Sequence, residues 1–334
     1  LAAAQQPVIL VGGGAKRAGE ALGALAEHLD APMVQTANGR GLMYQHALGV
    51  PASPSLKAVR ALIEEADVVL ALGTEFGPTD YDMYATGEWP KMQHLIRVDL
   101  CEQQLRRHPA DLAITGDAGS YVSALLAALP PVCAGTGGEG RAAKARAAAQ
   151  QEIGADYRSQ VGVLSAMRDA MPGSLMVGDS TQPIYAGNLY YDHDRPGGWF
   201  NAATGYGALG YGIPAAIGAA IAAPDTPVIC IVGDGGAQFS LPEVMTAVDE
   251  SLSITFVIWN NQGYREIATS MEDVGVDVIG CDPTPPGFAA TAQSFGIPHV
   301  TVSVDPAEVA AAVTQNQGQG PRIVEITAPV FAPS

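Results

Sequence analysis

The sequence predicts an α/β protein made of two doubly wound parallel-sheet domains. Three observations lead there. Short runs rich in Val, Ile and Leu alternate with stretches whose apolar residues recur at helical spacing. The runs are apolar almost throughout, as in strands covered by helices on both faces. A Pro/Gly-rich segment divides the alternation in two, and 334 residues exceed one ordinary domain.

Taken in order, residues 7–11 form a first strand that ends in Gly12-Gly13-Gly14, and residues 18–29 carry a helical pattern. Residues 33–36, 67–73 and 94–99 supply further strands. Residues 130–140 turn to Pro, Gly, Ala and Thr and read as a linker. Residues 141–157, Ala-rich with Arg141, Lys144 and Arg146, read as an exposed helix. Strands resume at 174–178, 226–232, 253–259 and 322–326. The expected division is a first domain over 1–130, linker and helix over 131–157, and a second domain over 158–334.

Composition narrows the function classes. Thirty-four acidic residues against 17 basic ones give a formal net charge of −17, which repels phosphate backbones and anionic lipid. No apolar run approaches the ~18 residues of a membrane span. Nucleic-acid and membrane partners are therefore not expected. The four cysteines, Cys101, Cys133, Cys230 and Cys281, lie too far apart for zinc or disulfide patterns, which fits a reducing, cytoplasmic setting. The start lacks both Met and a secretion signal, and reads as a chain opened partway along.

Gly12-Gly13-Gly14 after a strand invites a dinucleotide-binding reading, which fails two tests. The third glycine of that fingerprint would fall at position 17, where Arg17 stands. No acidic residue ends the next strand to hold a ribose. A tight strand-to-helix turn accounts for the glycines without a ligand.

The second half carries a more specific pattern. The apolar run 228–232 leads straight into Gly233-Asp234-Gly235-Gly236. Ser240-Leu241-Pro242-Glu243 then reads as a capping box, opening a helix to about Glu250. The next strand ends in Asn260-Asn261-Gln262-Gly263. A strand–helix–strand unit makes the two strands parallel, so both polar clusters sit at carboxyl ends, where open α/β sheets bind ligands. If the strands are neighbours, Asp234 and Asn261 can share one ion. Mg²⁺ suits them: it is hard, takes oxygen ligands, and is held by one or two carboxylates plus phosphates. A carbonyl near Gly263 offers a third ligand, and Gly235 and Gly236 let main-chain N–H groups approach phosphates. Either cluster alone would also pass as an ordinary turn.

Together the clusters resemble the thiamine-diphosphate-binding motif of the 2-oxo acid decarboxylases and acetolactate synthases. Residues 205–218 resemble the segment that precedes the motif in those enzymes, and residues 7–14 and 95–117 resemble their central, Rossmann-like domain. The resemblance implies thiamine diphosphate and Mg²⁺ as cofactors, with Asp234, Asn261 and the Gly263 carbonyl as metal ligands within Gly233-Asp234-Gly235-Gly236 and the Asn pair. It gives the Gly207 carbonyl the cofactor's exocyclic amine, and makes Leu209 the bulky residue that props the cofactor into a bent shape. Ser180, Thr181 and Gln182 match the loop that meets the diphosphate; a plain helix start is the other reading of that loop. In such enzymes the cofactor attacks a 2-oxo acid and releases CO₂, giving an aldehyde or, with a second carbonyl compound, a 2-hydroxy ketone.

The same resemblance implies a third, N-terminal domain that binds the pyrimidine ring and supplies an activating glutamate. It has no match in these residues. It is expected from the same gene or from a partner chain, in a homodimer or homotetramer; the alternative is a cofactor-binding fragment or subunit inactive without it. Residues 261–267 depart from the acetolactate synthase pattern and look closer to decarboxylases, particularly those acting on 5-guanidino-2-oxopentanoate. Glu266 is accordingly a candidate catalytic residue, relaying protons or pairing with a cationic substrate tail. Its alternative is a solvated carboxylate at a helix start. A carboligase of the acetolactate synthase type remains the alternative function.

Overall fold

The computed structural model describes residues 1–82, 87, 89–130, 135–315 and 317–329. Among them, two six-stranded sheets form, every strand pairing in parallel. The first contains β1 (Val8–Val11), β2 (Met33–Gln35), β3 (Gly49–Val50), β4 (Val69–Leu72), β5 (Leu95–Asp99) and β6 (Leu112–Thr115) in the order β3-β2-β1-β4-β5-β6. The second contains β7 (Leu175–Gly178), β8 (Trp199–Asn201), β9 (Val228–Gly233), β10 (Ile254–Asn260), β11 (His299–Val302) and β12 (Arg322–Thr327) in the order β11-β12-β10-β9-β7-β8. The α/β class and both parallel sheets are as the sequence predicts. No helix among the described residues is long and apolar enough to cross a membrane.

The chain divides into two compact units, one of Leu1–Arg158 with Asn188–Gly197, the other of Ser159–Gly187 with the chain from Gly198 onward. In the first unit, Ile9, Val11, Leu70 and Leu72 pack against Leu22, Leu25 and Leu29 of the helix Gly19–Leu29. A Cβ on Gly12 would lie 2.4 Å from the Gly73 oxygen, and one on Gly14 would lie 2.8 Å from the Gly73 Cα. Close backbone approach thus explains those glycines.

Residues 188–197 join this unit through main-chain bonds, Tyr191 N–H to the Pro51 oxygen and Ser53 N–H to the Leu189 oxygen. Nothing in their composition announces that excursion.

Three local expectations are corrected. The segment 141–157 is not one exposed helix but parts of two, Gly138–Glu152 and Gly154–Ala170. Ala142, Ala145 and Ala149 face inward, and Arg146 donates to the oxygens of Ala47 and Gly49. Residues 138–140 belong to that helix and not to the linker; the Gly138 and Thr136 amides donate to the Asp30 carboxylate. Ser240 does not cap a helix: a 3₁₀ turn, Leu241–Glu243, precedes the helix Val244–Asp249, and no side-chain cap bond forms. Pro242 stands in the first turn, where its missing amide would have had no intrahelical partner. Cys133 lies outside the described residues; Cys101, Cys230 and Cys281 are free thiols.

In the second unit, Val228, Cys230 and Val232 alternate with Phe256 and Ile258 in a core closed by Ile213, Ala216 and Ile217. The register sets Trp259 beside Gly233 and Gly178 beside Ile231. The loops after β7, β9 and β10 therefore emerge at one edge of the sheet. The chain leaves β7 for β8 on one side, while β9 lies on the other, so this edge is the switch point where such sheets open a crevice.

Candidate functional site

Asp234 opens a helical turn, Asp234–Ala237, directly after β9, and its carboxylate is buried. Across the β9–β10 edge, the Gly263 amide donates to Asp234 Oδ2 at 3.0 Å. Gln262 and Gly263 both take positive φ, 58° and 150°. Only glycine fits at 263, because a Cβ there would lie 2.5 Å from the Cys281 oxygen. This reversal brings the Gly263 oxygen to 2.9 Å from the Asn261 carboxamide.

Three polar groups converge as a result. One terminal atom of the Asn261 carboxamide lies 3.1 Å from Asp234 Oδ1 and 2.9 Å from the Gly263 oxygen: as Nδ2 it donates to both, and as Oδ1 it joins them as a third oxygen. Three oxygens that close repel unless a cation lies among them, so the second orientation is the one a metal selects. Adjacent ligands of an octahedral Mg²⁺, each at about 2.1 Å, are themselves about 3.0 Å apart. Burial pushes the Asp234 carboxyl above the usual carboxylate range, against the pull of the Asn261 and Gly263 amides. A cation would favour the ionised form. Among the described residues no cluster of three His, Cys, Asp or Glu side chains exists. A metal at this edge must therefore draw on amide and main-chain oxygens.

Beside the triad lies a cavity of about 220 Å³. Every residue singled out from the sequence lines it except Asp234, which is buried beneath: Ser180, Thr181, Gln182, Gly207, Leu209, Gly233, Gly235, Gly236, Asn261, Gly263 and Glu266. Gly235 lies under the Tyr264 ring and Gly236 beside Leu209, where a Cβ would come within 2.4 Å of Tyr264 Cε1 and 3.4 Å of Leu209 Cδ2. Glu266 stands half-buried in the first turn of the helix Arg265–Asp273.

The loop 179–182 both opens a helix and lines the cavity. Thr181 heads the helix Gln182–Leu189, its carbonyl accepting from the Ile184 and Tyr185 amides. The Gln182 carboxamide oxygen is not turned toward the cavity as a free group; it accepts from Asn261 Nδ2 at 2.9 Å and from Trp259 Nε1 at 3.2 Å.

Asp179, Tyr264 and Arg265 lie in segments the sequence marks but with no role assigned, and Tyr185 is not marked at all. Asp179 is fully buried, and its carboxylate accepts from Ser180 N–H at 2.8 Å and Gly210 N–H at 2.7 Å. It thereby holds the turn in which Gly207 and Gly210, at φ of 67° and 86°, flank Leu209. Burial raises its pKa above the usual range. An acid directly after an apolar strand was the available signal. Arg265 clamps the Asn pair loop: Nε donates to the Asn261 oxygen, Nη2 to the Gln262 oxygen, and Nη1 meets Asp282 at 2.7 Å. Tyr185 and Tyr264 carry no mark of their own, since their relevance comes only from where the helices place them.

Known proteins resemble this chain in sequence. Residues 179–326 match the family described as thiamine pyrophosphate enzyme, C-terminal TPP binding domain, and residues 1–125 match thiamine pyrophosphate enzyme, central domain. Among similar proteins, the probable 2-ketoarginine decarboxylase AruI of Pseudomonas aeruginosa is 36% identical over 312 residues, covering 89% of this chain and 53% of that protein. The sulfoacetaldehyde acetyltransferase of Castellaniella defragrans is 30% identical over 98% of this chain and 61% of its own length. The acetolactate synthase isozyme 3 large subunit of Escherichia coli is 26% identical over 91% of the chain and 55% of its own length. The chain thus spans little more than half the length of these relatives. With both domain models matched in order, and the glycine–aspartate and asparagine turns meeting at one sheet edge, the chain belongs to the thiamine pyrophosphate (thiamine diphosphate) enzymes, of which it carries the central and the cofactor-binding domains.

Proposed function

We propose that this chain holds the diphosphate and metal of an enzyme that decarboxylates a 2-oxo acid. The convergence of the Asp234 carboxylate, the Asn261 carboxamide and the Gly263 oxygen is the observation that carries the reading. These three would bind Mg²⁺. The amides of Gly235 and Gly236, with Ser180 and Thr181, would face the diphosphate beside Gly233. Leu209, held by the Asp179-anchored turn, would support the bent cofactor, and the Gly207 carbonyl would accept its amine. Bound thiamine diphosphate supplies the electron sink that loss of CO₂ requires. Glu266, on the cavity wall, would either hold the proton that replaces CO₂ or pair with a cationic substrate tail.

The pyrimidine half of the cofactor would be held by residues outside these 334, in an assembly of two or four copies. Exposed Tyr206, Phe239, Ile267 and Ile279 on the second unit support a covering partner. The free thiols favour a cytoplasmic setting.

Similarity to the Pseudomonas decarboxylase favours 5-guanidino-2-oxopentanoate as substrate, while similarity to the acetolactate synthase keeps a carboligase as the second reading. Product analysis of the intact protein with thiamine diphosphate and Mg²⁺ separates them. The expected products from 5-guanidino-2-oxopentanoate are CO₂ and the one-carbon-shorter aldehyde. Acetolactate from pyruvate, with no turnover of the guanidino acid, would establish the carboligase instead. Unchanged turnover in Glu266→Gln would remove that residue from the account.

A further inference from the structure

An asparagine that ligates a metal faces an orientation problem. Its carboxamide presents oxygen on one side and NH₂ on the other, and the two shapes are nearly identical. Without a metal, Asn261 would gain by turning over: its nitrogen would then donate to Asp234 Oδ1 at 3.1 Å and to the Gly263 oxygen at 2.9 Å. In that state the site closes on itself and offers no amide oxygen to a cation.

The turned state has a cost on the far side of Asn261. It sets Asn261 Oδ1 2.9 Å from Gln182 Oε1, oxygen against oxygen. Turning Gln182 as well would relieve that contact, but Gln182 Oε1 also accepts from Trp259 Nε1 at 3.2 Å. An indole N–H only donates. A turned Gln182 would face it with NH₂, donor against donor. All three side chains are nearly inaccessible, with exposures of 3% for Trp259, 8% for Gln182 and 4% for Asn261. An unmatched buried polar group is costly, and Trp259 is not among the residues that line the cavity.

We infer that Trp259 and Gln182 form an orienting relay that keeps the Asn261 oxygen turned toward Asp234 and Gly263, ready to ligate a divalent cation. The relay rests on the reading of these oxygens as the metal site. Trp259 closes β10 and pairs with Gly233 in the register, so the fixed donor comes from the sheet itself. Gln182 opens the helix after β7 and brings the message across β9. Neither residue is a metal ligand; both are positioning residues.

The test is Mg²⁺ affinity at saturating thiamine diphosphate, by calorimetry on the intact protein, with Mn²⁺ paramagnetic resonance as a second readout. Trp259→Phe and Gln182→Met should each weaken the metal by about 10- to 100-fold, the range for residues that orient ligands. Their double variant should be no weaker than the worse single one, because both break one chain. Gln182→Glu, which accepts from both neighbours, should restore affinity in the Gln182 series. Singles at wild-type metal affinity, fully additive losses, or a Gln182→Glu variant as weak as Gln182→Met would each overturn the relay. Thermal melts without metal identify any variant that merely fails to fold, and a misfolded Trp259→Phe leaves the Gln182 pair to decide. Asp234→Ala separates the two levels: metal affinity that survives it refutes the metal site, and the relay with it.

Discussion

The Gly263 amide donates to Asp234 Oδ2 at 3.0 Å, joining the ends of two neighbouring parallel strands. Asp234 Oδ1 and the Gly263 oxygen in turn lie 3.1 Å and 2.9 Å from the Asn261 carboxamide. One glycine therefore serves the carboxylate as donor and the site as acceptor. It does so only in a backbone shape that other residues rarely adopt.

Replacing that glycine should be costly in two ways. Gly263→Ala places a Cβ 2.5 Å from the Cys281 oxygen at φ of 150°, so main chain must move. A loss of about 2 kcal/mol or more in stability is expected, with metal-dependent cofactor binding lost as well. Urea unfolding and calorimetry check both.

Gly235→Ala tests a different constraint. The added methyl meets a ring edge, Tyr264 Cε1 at 2.4 Å, and not main chain. Cofactor affinity should fall at least tenfold while stability changes by about 1 kcal/mol or less. Adding Tyr264→Leu should recover part of the affinity, read by the same titration.

Asp179→Ala leaves the Gly210 and Ser180 amides without their buried acceptor. A loss of about 2–4 kcal/mol is expected, and Asp179→Asn, which keeps one acceptor oxygen, should lose less. Chemical denaturation of the two variants side by side checks the ranking. Equal losses would mean that the carboxylate's bonds to the Leu209 turn are not what stabilises it.

The first unit should carry its own pH signature. Burial pushes the Asp80 carboxyl up to about 6, against the Ala37 amide and nearby Arg40. A carboxyl whose pKa is raised by folding stabilises the fold while protonated. That contribution is complete below about pH 4 and is lost as pH rises through about 6. Asp80→Asn should flatten this decline, by on the order of 2 kcal/mol at pH 7 after allowance for partial solvent access. Urea midpoints across pH 4–7 would show it; parallel curves for wild type and variant would refute it.

Much of this protein is legible in its sequence because parallel sheets write their strands plainly. The runs around Val8–Val11, Val228–Gly233 and Ile254–Asn260 are apolar on both faces and end in glycine or asparagine. Short edge strands such as Gly49–Val50 and Leu112–Thr115 went unread, since one is only two residues long and the other half-exposed. Asp234, Asn261 and Gly263 were legible because their turns have a characteristic spelling. Gln182 was found for another reason than the structure gives it, since its partner Trp259 lies 77 positions away in the chain. Asp179 reaches the Gly210 amide 31 positions away, a pairing that no local pattern encodes. Arg265 instead binds main-chain oxygens three and four residues back in its own loop, where an arginine by itself carries no distinguishing mark.

Asp234, Asn261 and Gly263 are proposed to bind thiamine diphosphate through a shared divalent cation. Titrating the intact protein with thiamine diphosphate, with Mg²⁺ and then with excess EDTA, tests it most directly, alongside Asp234→Ala. Binding should be tight only with Mg²⁺, and Asp234→Ala should lose at least about 100-fold. Equal affinity with Mg²⁺, with EDTA and in the variant would contradict it.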